Sequence, residues 1–184
     1  MHRYIAFLRA INVGGHTVKM EVLRQLFERV GFSDITTFIA SGNVFFTAPS
    51  KSAGVLEQKL ERELRAALGY EVATFIRTEG ELADIAAYVA FPPKVLAGAV
   101  ALNVAFMRQP LADEEQPKLR ALRTEIDDFA VRGRELYWLC RQKQSDSTFS
   151  NAVLEKTLGR PSTLRGLSTL QKMAALCRAV KLLQ

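Results

Sequence analysis

Strand-like and helix-like segments follow one another in the order β-α-β-β-α-β-α, twice over, along 184 residues. This order predicts an α+β fold of two tandem ferredoxin-like units with antiparallel sheets, related by internal duplication. Two further observations agree. The length suits either one average domain or two small ones. Midway, the segment Phe91-Pro92-Pro93-Lys94 interrupts the pattern, because consecutive prolines cannot donate to a ladder or continue a helix. The expected organisation is a first unit over 1–90, a linker over 91–98 and a second unit with a basic tail segment over 99–184.

In the first unit, Arg3 to Leu8 reads as a strand, and a glycine-containing loop follows. Met20, Leu23, Leu26, Phe27 and Val30 then recur at helical spacing until Gly31. Ile35 to Ala40 and Val44 to Thr47 are β-rich runs separated by Ser41-Gly42-Asn43, which reads as a tight hairpin turn. Leu56, Leu60, Leu64 and Leu68 form one helical stripe, Val72 to Arg77 a strand, and Glu79 to Tyr88 a short helix. In the second unit, Val100, Leu102, Val104 and Phe106 alternate as a strand, and a helix spans about Asp113 to Leu122. Strands near Ile126 to Val131 and Glu135 to Arg141 turn at Arg132-Gly133-Arg134. A helix from about Ser147 to Leu158 closes at Gly159, and Thr163-Leu164-Arg165 is extended. The last helix carries Leu170, Met173, Cys177 and Val180 inward. The segments from Phe75 and from Thr163 align weakly, pairing Arg77 with Arg165, Leu82 with Leu170 and Ala86 with Ala174.

A lone sheet of this kind leaves one face to water, which predicts polar residues at alternate strand positions. Here Tyr4, Ala6 and Leu8 oppose Ile5 and Phe7, and Leu136, Trp138 and Cys140 oppose Tyr137 and Leu139. Each second face is therefore expected to be covered, by the other unit or by a second copy in a homodimer.

Composition excludes several classes. With 48% apolar and 24% charged residues the chain has material for cores, and no apolar stretch approaches the roughly 20 residues a bilayer demands. Only five apolar residues lie between Arg3 and Arg9, too few for a signal-peptide core, so a cytoplasmic location without membrane contact is expected. Cys140 and Cys177 read as reduced core thiols. His2 and His16, the two histidines, have no metal-ligand spacing, so no metal or cofactor is predicted. The net charge of +6 is lopsided: residues 1–140 hold 17 basic and 17 acidic side chains, and residues 141–184 hold eight and two. Either an anionic partner or a solvated helical face accounts for that excess.

In this topology the first two strands run the same way, so the loop after strand 1 and the hairpin after strand 2 meet at one edge. The first contributes Arg9, Asn12, Gly14, Gly15, His16 and Lys19, and the second Ser41, Gly42 and Asn43. Glycines permit backbone N–H groups to converge as an anion nest beside a helix start. The alternative is a self-capped turn in which Asn12 and Asn43 bond their own backbone. His16 is an acid/base candidate or an exposed loop residue; Ser41 is outside any G-x-S-x-G setting and lacks an orienting carboxylate. Dinucleotide and P-loop signatures are absent. Phe45 and Phe46 occupy strand 3, where RNA-binding relatives of this fold stack bases, yet core burial suits them better. The matching edge of the second unit carries Arg108, Gln109, Arg132 and Arg134.

The runs Leu8-Arg9-Ala10-Ile11-Asn12-Val13-Gly14-Gly15, Lys19-Met20, Gly31-Phe32, Ser41-Gly42-Asn43-Val44-Phe45-Phe46, Gly133-Arg134-Glu135-Leu136-Tyr137 and Thr163-Leu164-Arg165 resemble domain-of-unknown-function family 1697, uncharacterised and mainly bacterial. The resemblance runs nearly end to end and implies two linked ferredoxin-like units, with no assigned activity. Ala10 stands where the family usually has Gly, Arg165-Gly166 where it has Arg-Asn, and Ser147-Thr148 where it has Ser-Lys. By resemblance the first site carries over through Arg9, Asn12, Gly14, Gly15, Lys19, Ser41, Gly42 and Asn43, with Thr163, Arg165 and Thr169 as secondary candidates beside Arg134. The leading expectation is a non-catalytic protein binding an anionic small molecule or nucleic acid. The alternatives are an enzyme of a small phosphorylated or carboxylated metabolite and a dimerisation module.

Overall fold

A computed structural model describes residues 1–12, 17–39 and 42–182 of the chain. Two compact units result, Met1–Ala83 and Asp84–Gln184. In the first, β1 (His2–Leu8), β2 (Ser33–Phe38), β3 (Asn43–Ala48) and β4 (Thr74–Thr78) form an antiparallel sheet in the order β2-β3-β1-β4. Helices α1 (Met20–Arg29) and α2 (Ala53–Leu68) cover it, and β4 runs straight into α3 (Glu79–Ala87). In the second, β5 (Ala101–Phe106), β6 (Asp127–Arg132), β7 (Glu135–Cys140) and β8 (Thr163–Gly166) repeat the order as β6-β7-β5-β8. Its helices are α4 (Pro93–Leu96), α5 (Gln116–Arg120), α6 (Asn151–Leu158) and α7 (Leu167–Leu182). This is the ferredoxin-like arrangement twice, as the order of segments predicts.

Each core follows from strand alternation. Tyr4, Ala6, Leu8, Val44, Phe46 and Ile76 face α1 and α2, where Leu23, Leu26, Phe27, Leu56, Leu60 and Leu64 close over them. Phe46 stacks on Phe32 and Tyr4 and meets Phe27 edge-on, and Phe45 is buried as well. Neither ring is offered to a base. In the second unit Ala105, Met107, Leu136 and Trp138 meet Leu119, Phe149 and Leu154. The opposite faces are buried too, through Ile5, Phe7 and Phe75 in one sheet and Val104, Phe106 and Leu139 in the other. Such strands, apolar on both sides, have no face suited to water.

Several boundaries differ from the sequence reading for local reasons. Pro93 opens the four-residue α4 because a first helical position needs no N–H, so part of the 91–98 proline segment is helical. The division between units falls inside α3. Beyond it, Ile85 O accepts the Tyr137 hydroxyl of β7 at 3.1 Å, and the Tyr88 and Tyr137 rings lie 5.1 Å apart. The helix expected from Ser147 starts only at Asn151, capped by Ser150, whose Oγ accepts Val153 N–H. Ser147 itself bonds Asp127. Leu170, Met173 and Cys177 are buried along α7 as expected, whereas the Val180 side chain lies outside the described residues. No described helix is long and apolar enough to cross a membrane.

Candidate functional site

The β1 end, the β3 start and the β4 start share one rim. Leu8 N–H donates to Gly42 O at 2.8 Å and Arg9 N–H to Ala73 O at 2.9 Å, tying the loop after β1 to the turn before β3. Contact is close: with φ at +73°, a Cβ on Gly42 would stand 2.7 Å from Ile11 Cγ2 and 3.1 Å from Leu8 Cβ. Only glycine fits without displacing Ile11, whose carbonyl accepts the Tyr70 hydroxyl at 3.3 Å.

Of the nine residues expected here, Arg9, Asn12, Lys19, Gly42 and Asn43 are described, and the chain brings them to this rim. Gly14, Gly15, His16 and Ser41 lie outside the described residues. Both asparagines serve the backbone. Asn12 Oδ1 accepts Val18 N–H at 2.7 Å, closing the loop ahead of α1. Asn43 is fully buried and its Nδ2 donates to Phe38 O at 3.2 Å, clamping the hairpin. Arg9 is half-buried, and Lys19 is exposed at the N-cap position of α1 with no side-chain capping bond. Of the expected ligand groups that are described, Arg9 and Lys19 supply the charge and Asn12 and Asn43 the scaffold.

The second unit repeats the construction. Met107 N–H donates to Arg134 O at 3.0 Å, matching Leu8 with Gly42, so Arg108 follows that bond as Arg9 follows its counterpart. At this rim an open groove of about 590 Å³ has a floor of Leu111, Leu119 and Phe129 with Arg120 and Arg123 along its side. Arg123 is held by Asp128 at 3.0 Å and donates to Phe129 O, while Arg120 is exposed. The groove has no signature in sequence because it depends on where the short α5 rests against the edge strand β6.

The secondary candidates separate. Arg134 lies at the Met107 end of β5, and Gly166, which leads into the first turn of α7 and Thr169, lies across from Asn103 at the other end. Arg165 Nη1 donates to Thr163 Oγ1 and to Leu164 O, both at 2.8 Å, and burial brings its guanidinium down to about 10. Arg77, fully buried, makes the same backward bond to Ile76 O at 2.9 Å. The paired arginines of the sequence alignment are thus structurally equivalent.

One polar cluster escaped the sequence reading. Asp127, buried at the start of β6, accepts Trp138 Nε1–H at 2.7 Å, the Ser147 hydroxyl at 2.9 Å and the Thr124 hydroxyl at 2.9 Å. Cys140 lies beside it, and burial pushes that thiol up. A buried indole N–H requires an acceptor, so Trp138 within an apolar strand was the available signal. With its lone pairs occupied, this carboxylate is structural. Among the described residues, no group of three or more His, Cys, Asp or Glu side chains is placed to hold a metal.

A family model described as "Protein of unknown function (DUF1697)" matches residues 1–137, and the chain belongs to that family. No curated protein matches the sequence. Among solved structures, the conserved bacterial protein SP0830 from Streptococcus pneumoniae superposes with a TM-score of 0.77 at 21% identity, covering 97% of this chain and 99% of that one. At that identity the likeness concerns the fold.

Proposed function

We propose that this member of a family without an assigned activity is a non-catalytic protein that binds an anionic ligand, a phosphate, nucleotide or nucleic-acid backbone. The site is the rim formed by the loop after β1 and the turn before β3. One repeated observation carries the reading: Leu8 N–H to Gly42 O, and Met107 N–H to Arg134 O, each deliver an arginine, Arg9 or Arg108, to the same place in its unit. Lys19 at the start of α1 adds charge where a helix favours anions. The arginine-flanked groove at the second rim offers the same chemistry beside an apolar floor. Cys140 and Cys177, both buried and neither in a disulfide, suit a reducing cytoplasm.

The test is a binding titration with a labelled single-stranded oligonucleotide, a nucleoside triphosphate and inorganic phosphate at about 50 and 200 mM salt. Polyanion affinity falls steeply over that range if phosphates are being neutralised. A flat response removes nucleic acid as the partner. Arg9→Ala weakens binding by roughly 1.5 to 3 kcal/mol, about ten- to a hundredfold, if its guanidinium meets the anion. Unchanged affinity would mean that the rim only holds the fold together.

A further inference from the structure

The duplication supplies an internal comparison at the opposite end of the sheets. Thr78 ends β4 across from Tyr4, and Gly166 ends β8 across from Asn103; each strand then runs directly into a helix. In the first unit that helix start has an anion of its own. The Thr78 N–H and hydroxyl donate to Glu81 Oε2 at 2.8 and 3.1 Å, and Glu81 N–H returns a bond to Thr78 Oγ1 at 3.1 Å. The spacing that pairs Arg77 with Arg165 pairs Glu81 with Thr169. Accordingly, the first turn of α3 holds Glu79 and Glu81, whereas that of α7 holds no acid.

In place of the carboxylate, the second unit gathers small polar groups. Asn103 Oδ1, Ser168 Oγ and Thr169 Oγ1 each stand 3.9 Å from the point a Cβ on Gly166 would occupy. Asn103 is 7% exposed; its Oδ1 takes a bond from Gln144 Nε2 at 3.4 Å, and its Nδ2 has no hydrogen-bond partner. A buried amide donor beside a helix start, left unanswered, lowers stability unless a guest accepts from it. Ser168 is exposed and Thr169 half-buried, so the place is open to solvent. Charge favours a negative guest: Asp84–Gln184 holds fifteen basic and ten acidic residues, against ten and nine in Met1–Ala83.

We propose that the start of α7 is a binding site for a phosphate-sized oxyanion, free phosphate or the monoester of a small metabolite, which takes the position that the Glu81 carboxylate holds in the first unit. The Gly166 amide is turned away from β5 as the Thr78 amide is turned from β1, because both occupy the same register position. It donates to the anion together with the first-turn amides of the 16-residue α7, the Ser168 and Thr169 hydroxyls and Asn103 Nδ2, the unpartnered donor of the side chain whose Oδ1 lies against Gly166. Within the second unit the site is separate from the rim that carries Arg108: Asn103 lies at one end of β5 and Met107 beyond the other.

Residue-resolved amide NMR of the full chain, titrated with inorganic phosphate at constant ionic strength with chloride as the control, tests the proposal. Saturable shifts are expected at Gly166, Ser168, Thr169 and the Asn103 side-chain amide. Thr169→Glu, which restores the carboxylate of the first unit, weakens those shifts at least tenfold and raises the thermal midpoint. Asn103→Asp, which replaces the donor with an acceptor, weakens them as well. Arg9→Ala leaves them unchanged, so failure here and failure of the rim are told apart. Adenosine monophosphate separates the sources: tighter binding than phosphate at the same amides indicates a monoester, equal binding free phosphate. No wild-type shifts at these amides, or shifts that persist undiminished in Thr169→Glu, would overturn the proposal.

Discussion

Replacing Gly42 with alanine probes the contact on which the first rim depends. The residue sits at φ +73°, a conformation that costs an L-residue about 1 kcal/mol. Its new methyl would also lie 2.7 Å from Ile11 Cγ2, 3.1 Å from Leu8 Cβ and 3.3 Å from Leu8 O. Leu8 is fixed in β1, and Ile11 is buried, so relief requires moving core atoms at a further cost of about 1 to 3 kcal/mol. The expected total is roughly 3 kcal/mol. Gly69→Ala is the matched control: φ is +79° at that C-cap, but nothing lies within 4 Å of its Cβ position. It should lose only the conformational part, about 1 kcal/mol. Urea unfolding followed by circular dichroism separates the two through their midpoints, provided the slopes match. Equal losses in the two variants would refute the close approach of the β1 loop and the hairpin turn, and with it the geometry of the rim.

Asp127→Ala strands the donors of Trp138, Ser147 and Thr124 and should destabilise the second unit by about 4 kcal/mol, with a shift in the emission of Trp138, the chain's one tryptophan. A loss under about 1 kcal/mol would show that these bonds contribute little. Tyr137 is buried with its hydroxyl on Ile85 O, and burial, aided by the charge of Glu135, raises its pKa above the ordinary value of 10. The folded chain therefore keeps a proton that the unfolded chain releases. The associated stability is intact below about pH 10 and declines as pH rises further. Tyr137→Phe should flatten the alkaline fall of the urea midpoint above about pH 10, and an unchanged slope would remove Tyr137 as its source.

Segment order was legible because periodicity survives in short windows. The stripes of α1 and α2 and the alternation of β1, β5 and β7 each announce their element. Ends were less legible. Ser147 looks like a helix start by residue type, but its hydroxyl is drawn to Asp127, and Ser150 takes the capping role three residues on. Gly42 and Asn43 were visible as a turn. That Asn43 would be fully buried and spend its amide on Phe38 O was not, since two strands must first pair around it. Asn103 is a further case: a polar residue in an apolar strand is plain to see, yet the helix start above it comes from more than sixty positions away.

By itself the amino-acid order determined the α+β class, the two repeats, the chain direction at each rim and the pairing of Arg77 with Arg165, because these follow from local periodicity and spacing. Tertiary structure alone decided which polar groups are consumed and which are offered. Asn12 and Asn43 turned inward to the backbone, Asp127 became a structural anchor, and Asn103 Nδ2 was left without an acceptor. The physical reason is that hydrogen-bond satisfaction is a property of the neighbours a residue acquires on folding, and those neighbours come from distant parts of the chain.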